Sequence, residues 1–283
     1  MILWNWNEMG LKFIFLSVLF IPSFVYSQNT LKDEATIRVY YFFTQKEKAG
    51  EKPFRNDTMT LDIGSQMSYY YDETRALKDS IFNSMLPVNT IKSISVYKNR
   101  DGALDNVLGD KYVRNHFEGT SEKMYKNRAT GEVTITDHYD RNEYRCDDPV
   151  GTLNWEITSD TATVLNYVCQ KAKLHFRGRD YDAWFAPEIP INEGPWKFMG
   201  LPGLILKVND TNGLIAFVCV GLQNLEKAVP IEIADKKYLK CSRKDLEKLK
   251  RNEGASMTFV NNGGNVTIVS KSLSDSFQFL ELE

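Results

Sequence analysis

TVLNYVCQKAKLHFRGRDYDAWFA, residues 163–186, alternates with a period of two and then turns back on itself. Side chains of an extended chain point to its two faces in turn. Val164, Val168, Ala172, Leu174 and Phe176 therefore share one face, and Tyr167, Cys169, Lys171 and Lys173 the other. The reading is one long strand over 163–176, buried on one side. Arg177-Gly178-Arg179-Asp180 turns the chain, and YDAWFA, 181–186, returns beside it as the second arm of a hairpin.

Outward from this hairpin the same chemistry repeats. GLILKV (203–208) and LIAFVCV (214–220) flank Asn209-Asp210-Thr211-Asn212-Gly213, a turn-rich connector that predicts a second hairpin, and LNWEIT (153–158) leads into the first. Upstream, ATIRVYYFFT (35–44), TMTLDI (58–63) and QMSYYY (66–71) are rich in β-branched and aromatic residues and read as the first strands of an antiparallel meander. ISVYK near residue 96, SEKMYK (121–126) and GEVTITDHY (131–139) resume strand character, with RATG as the turn between the last two. Two segments change period. DETRALKDSIFNSML (72–86) has Asp72 as cap, Leu77, Ile81 and Met85 every fourth residue, and Pro87 as stop; SRKDLEKLK opens on Ser242 with Asp245 three residues on. Both predict short helices. GNVTIVSKS and SFQFLELE near the C-terminus read as edge strands. The expected class is α+β, mainly antiparallel β: a curved sheet of hairpins with one or two short helices.

Lys12 is followed by FIFLSVLFIPSFVYS, whose small Ser27, with Val25 two residues earlier, suits a signal-peptide cut. The apolar core, Phe13 to Tyr26, is 14 residues, short of the roughly 20 that span a bilayer. Met9 is an alternative start that leaves the same leader. The expectation is a signal peptide over 1–27, one β-rich domain over 28–283, no transmembrane segment after cleavage, and a periplasmic or secreted protein. No cysteine stands near the cut to carry a lipid. Of the 283 residues, 42% are hydrophobic and 25% charged, with Lys+Arg 35 against Asp+Glu 37. That balance supplies a core and argues against a nucleic-acid partner.

Cys146, Cys169, Cys219 and Cys241 are an even set in an exported chain, which favours disulfides. Cys146 with Cys169, on strands read as neighbours, leaves Cys219 with Cys241. No CxxC spacing points to zinc or redox chemistry.

GPWKFMGLPGLILKVND, 194–210, raises the question of what its glycines do. A phosphate loop would continue into Lys-Ser or Lys-Thr at a helix start, whereas Gly203 is followed by Leu204 and Ile205, a strand. The residue chemistry fits a type II turn at Leu201-Pro202-Gly203-Leu204, with Gly203 supplying positive φ. Prolines 190, 195 and 202 keep Ile189, Gly194 and Leu201 out of helix, so 187–202 is expected to be an extended lid over an open end of the sheet.

CQKA at 169, FRGRDYDAWFAPEIPI from 176, GPWKF from 194 and GLPGLI from 200 resemble the GLPGLI family of exported Gram-negative proteins. The motif is Gly200, Leu201, Pro202, Gly203, Leu204 and Ile205. The resemblance implies a signal peptide and a β-rich envelope protein, with no established activity. It also suggests, as a partner, a TonB-dependent outer-membrane receptor, beside which such proteins are often encoded. The order of hairpins, helix and lid is similar to periplasmic lipoprotein carriers in architecture alone.

No G-x-S-x-G or H-E-x-x-H occurs, and the three histidines, His116, His138 and His175, offer little for catalysis or metal. His138 with Asp140, the carboxylates Glu188 and Glu193, and the basic stripe Lys171, Lys173, Arg177 and Arg179 read foremost as solvated surface. Aromatic residues are 12% of the chain and gather around the lid. Tyr181, Trp184, Trp196 and Phe198 are the candidate pocket or lid residues. The expected function is a non-enzymatic, cofactor-free binding protein for a hydrophobic ligand or a protein segment. A structural accessory of a receptor and an envelope enzyme are the alternatives.

Overall fold

Val39, Tyr41 and Phe43 alternate along β1 (Lys32–Gln45) and are all buried, as a pleated strand with one covered face requires. The computed structural model describes residues 32–53, 55–77, 96–98, 104–106, 119–139, 142–253, 256–262, 265–271 and 280–282. The signal-peptide expectation, most of the helix expected over 72–86, His116 and Asp140 lie outside them. Within them follow β2 (Arg55–Ile63), β3 (Met67–Tyr71), β4 (Val96–Lys98), β5 (Leu104–Asn106), β6 (Lys123–Asn127), β7 (Glu132–Tyr139), β8 (Asn142–Pro149), β9 (Glu156–Val164) and β10 (Tyr167–Phe176). Then come β11 (Arg179–Ala186), β12 (Leu204–Asp210), β13 (Ile215–Glu232), β14 (Tyr238–Lys240), a helix over Arg243–Glu253, β15 (Ser256–Asn262) and β16 (Asn265–Lys271).

The class is α+β, dominated by one open, curved 12-stranded sheet in the order β14-β8-β7-β6-β3-β2-β1-β13-β12-β11-β10-β9. It consists of two meanders. One steps outward from β1 to β8; the other starts at the far edge with β9 and steps back to β13, which pairs antiparallel with β1 from Lys32↔Glu232 to Gln45↔Ile215. Register shifts between Ala35 and Ile37 and between Tyr40 and Tyr41 interrupt that seam, and bulges of this kind bend a strand. Every pair in the sheet is antiparallel except β14 with β8. One buried apolar cluster draws on both meanders, from Met124, Ile135 and Cys146 to Cys169, Leu174 and Phe217.

Several expectations are corrected. The long strand over 163–176 is broken by Leu165 (φ 48°) and Asn166 (φ 69°), a two-residue turn between β9 and β10. Positive φ at both central residues is the hairpin geometry whose twist suits the flanking strands. A register shift between Gln170 and Ala172 then switches the inward face. Cys169, Ala172 and Leu174 are buried, and Val168 is 56% exposed. The turn at Arg177 and Gly178 forms where expected, with φ 49° and 76°. Helical residues 73–77 begin after Asp72, whose Oδ1 accepts the backbone N–H of Arg75 at 3.0 Å. β16 pairs with β15 in a separate two-stranded sheet instead of edging the large one, and residues 280–282 are not a strand.

Neither expected disulfide is formed in this structure, where all four cysteines are free thiols. After β8 the chain crosses to the far edge of the sheet before starting β9, so Cys146 on β8 and Cys169 on β10 lie in different meanders. A second crossing, from β13 back to the β8 edge where β14 pairs, separates Cys219 on β13 from Cys241, which follows β14.

Candidate functional site

The segment 187–202, expected as a lid, is instead packed into the sheet's inward face. Trp196, Phe198 and Leu201 are 3%, 0% and 1% exposed. Phe198 meets Tyr181, Trp196 and Phe217 edge-on at centroid distances of 4.8, 5.2 and 6.1 Å. Polar anchors hold the segment across the molecule. Buried Glu193 pairs with buried Lys126 of β6 at 2.6 Å and accepts from Ser68 Oγ of β3 at 3.0 Å; Lys126 Nζ also donates to Gly194 O at 2.7 Å. Burial pulls the Lys126 pKa down, and the charge of Glu193 opposes that pull. From the other side, Trp155 Nε1 donates to Met199 O at 2.9 Å.

The expected type II turn does not form. Gly203 N donates to Leu201 O at 2.8 Å, closing a three-residue turn about Pro202, and Leu204 N donates to Ile189 O. Gly203 has φ 158°, and a Cβ there would overlap the Ala186 carbonyl, whose carbon would lie 2.7 Å away. Glycine is required by this close backbone approach. Leu204 and Ile205, both buried, start β12. Gly200 (φ 92°) follows the Glu193↔Met199 bridge.

Beside the packed segment the inward face opens into a cavity of about 330 Å³. Its apolar wall is Phe43 of β1, Met59 of β2, Ile135 of β7, Phe217 of β13 and Trp196, with Leu246 of the helix opposite. Phe43 and Phe217 stack at 4.8 Å, and the Arg55 guanidinium lies over the Phe43 ring at 4.9 Å while pairing with Asp57. Tyr70 of β3 lines the same space, 4% exposed, and its hydroxyl has no hydrogen-bond partner among the described residues. Burial raises its pKa well above the ordinary phenol range, so it stays a neutral O–H able to donate and accept.

An ion network closes one side. Lys197 pairs with Asp148 at 2.8 Å and with Glu281; Arg177 reaches Asp148 at 2.7 Å and Glu281 at 2.8 Å; Arg243 reaches Glu281 at 2.7 Å and Glu247 at 2.8 Å. Burial alone would raise the pKa of Glu281, but the Lys197 charge and hydrogen bonds with Lys197 and Glu247 bring it down to about 2. Asp148 is likewise lowered: burial opposes ionisation, and the Arg177 hydrogen bond and Lys197 charge overcome it. Glu247 moves upward through burial and its contact with Glu281.

The structure thus divides the expected site residues. Trp196 lines the cavity. Phe198 and Tyr181 are core beside it, and the Tyr181 hydroxyl donates to Leu280 O at 3.1 Å. Trp184 stands on the opposite face of β11 from Tyr181 and Phe185, between Lys171 and Lys207 at 5.4 and 4.8 Å. The basic stripe is dispersed: Arg179 is buried against Asp210, Arg177 belongs to the ion network, and Lys171 pairs with Asp182. Glu188 is exposed and Glu193 buried, so they form no carboxylate pair in a cleft. Tyr70, Asp148, Lys197 and Glu281 went unread in the sequence. A lysine inside the apolar run GPWKFMG was the available signal for Lys197, since a cation there needs a buried partner. Among the described residues no group of three or more His, Cys, Asp or Glu could hold a metal, and no helix is long and apolar enough to cross a membrane.

A family described as a protein of unknown function, Porph_ging, matches residues 176–207, the stretch from the end of β10 into β12. No curated protein matches the chain. The solved structure of PNGF-II in the P21 space group is similar at 13% identity and a TM-score of 0.50, over 81% of this chain and 35% of that one. A second structure, in the C2 space group, gives 0.48 over the same shares. The chain therefore spans about a third of PNGF-II, and at this identity the likeness concerns the fold alone.

Proposed function

We propose that this chain is a non-enzymatic binding protein of the cell envelope, whose inward sheet face accepts an apolar molecule bearing one hydrogen-bonding group. The observation that carries this reading is Tyr70: a buried hydroxyl without a partner among the described residues, lining a cavity whose sheet wall is apolar and whose rim carries Arg55, Lys197, Arg243, Glu247 and Glu281. Leaving such a group unsatisfied costs about 1–3 kcal/mol, a cost that a ligand oxygen or nitrogen would remove. The volume suits a small apolar molecule or a single chain, at the lower end of small-molecule sites. The resemblance of residues 169–205 to the GLPGLI family supports the envelope location.

Native mass spectrometry, with solvent extraction, of the protein from its own envelope tests the reading. A co-purifying apolar molecule is the expected result; a clean apo mass, with no displacement of anilinonaphthalene sulfonate by decanol or decane, sinks it. Tyr70→Phe should weaken decanol roughly fivefold, the factor for about 1 kcal/mol of hydrogen bond, and leave decane unchanged.

A second reading, an accessory that docks on a TonB-dependent outer-membrane receptor, draws on β9. Among the described residues this strand is the outermost of the sheet, largely exposed along its length, with no strand paired to its outer edge. Exposed edges accept a partner's strand. Loss of receptor cross-linking on placing proline at Thr161, while binding in the cavity persists, would favour it.

A further inference from the structure

β14 is the one parallel strand of the large sheet, and its register against β8 runs Tyr238↔Glu143, Leu239↔Tyr144, Lys240↔Arg145. One residue further, Cys241 stands level with Cys146. The ladder continues to that point: Cys241 N donates to Arg145 O at 3.0 Å. Residues level with each other on adjacent strands project to the same side. The burial agrees, since Cys146 belongs to the main apolar cluster and Cys241 packs against it, whereas Lys240 is exposed. Neighbouring strands lie about 4.8 Å apart, inside the roughly 4.4–6.8 Å between Cα atoms that a disulfide needs.

We infer that Cys146 and Cys241, free thiols in this structure, join on oxidation in a disulfide that locks β14, and the start of the helix behind it, to β8. This inference does not depend on the cavity having a ligand. Cys169 and Cys219 stay reduced: β11 and β12 separate their strands, so no ladder sets the two side by side as β14 and β8 set Cys241 and Cys146.

Formation is thiol–disulfide exchange with an oxidised dithiol, either a small disulfide or a disulfide-donating protein. Cys241, the more exposed thiol, attacks the donor as thiolate and releases one donor sulfur. Cys146 then attacks the mixed disulfide and releases the second. Two protons and two electrons pass to the donor, which leaves as two thiols, separate for a small disulfide and in one molecule for a disulfide-donating protein. Burial raises the pKa of both thiols, that of Cys146 to about 11, so exchange in the folded state is slow and the bond closes most readily as β14 docks. The helix that follows carries Arg243, Leu246 and Glu247, so the bond also fixes one wall of the cavity.

The test is refolding of the whole chain in a buffer of oxidised and reduced glutathione, followed by thiol blocking and non-reducing peptide mapping. The expected map has one linkage, Cys146 to Cys241, with Cys169 and Cys219 alkylated; the unmutated chain suffices, so no variant has to fold. Four alkylated cysteines, or any linkage that uses Cys169 or Cys219, overturns the inference. Cys241→Ser adds a second reading: its alkylated mass should show three modified thiols, and its melting temperature should match that of the reduced protein and fall below that of the oxidised one. Equal melting temperatures of oxidised and reduced protein would remove the proposed lock even if the bond is found.

Discussion

Gly203 and Gly200 look alike in the motif but answer to different constraints. Both have positive φ, 158° and 92°, yet a Cβ on Gly203 would overlap the Ala186 carbonyl, and one on Gly200 would meet nothing within 4 Å. Gly203→Ala should therefore cost on the order of 1–3 kcal/mol and lower the melting temperature by several degrees. Gly200→Ala should cost about 1 kcal/mol, the price of φ alone. Thermal melts of the two variants decide the matter: equal losses would remove the close-approach account of Gly203. That glycine is indispensable at this spot was legible from Pro-Gly punctuation. The reason was not, because the obstructing carbonyl belongs to residue 186 on the preceding strand.

At the scale of elements, local hairpins were legible and long-range placement was not. Alternating side chains and the turn at Arg177-Gly178 sit within a few residues of each other, so β10–β11 and β12–β13 could be read directly. The register shift at Gln170–Ala172 inverted the inward face without any change of composition to announce it. The segment 187–202 was expected to be extended and apolar, but its anchorage depends on Lys126 of β6, which is 67 positions from Glu193 in the chain. Lys126→Met would leave buried Glu193 with only the longer Arg128 contact at 3.5 Å and the Ser68 hydroxyl, and losing one partner of a buried pair costs up to about 3–5 kcal/mol. The double variant Lys126→Met, Glu193→Gln should recover much of that. A double-mutant cycle in urea measures the difference, and strictly additive losses would mean that the two side chains do not act as a pair.

For the whole molecule, the ion network joining residues 148, 177, 197, 243 and 281 ties the first meander to the second and to the C-terminal residues. It makes stability depend on pH. Glu281 has its folded pKa depressed from 4.5 to about 2, so its contribution is complete above pH 4.5 and is lost as pH falls toward 2. Asp148 acts in the same direction. Urea midpoints should thus be flat from neutrality down to about pH 5 and fall steeply below it, with Glu281→Gln flattening the acid limb; an unchanged limb would show that the network does not govern it. None of these partners could be assigned from the chain, because a buried pair reveals itself through position and not through residue type. The α+β class, by contrast, was carried by strand periodicity repeated along most of the chain.

The β1·β13 seam has a kinetic consequence. β1 is the first of the described strands to be made, and its second neighbour is complete only when residue 232 has been made. Until then one edge of β1, with Val39, Tyr41 and Phe43 beside it, has nothing to pair with. Closing so long a loop is slow, and an unpaired apolar edge is open to association with other chains. The nascent first meander is therefore the stage at which this protein is most exposed to aggregation, and a chaperone that shields residues 37–45 would act on the yield of folded protein more than on its final stability.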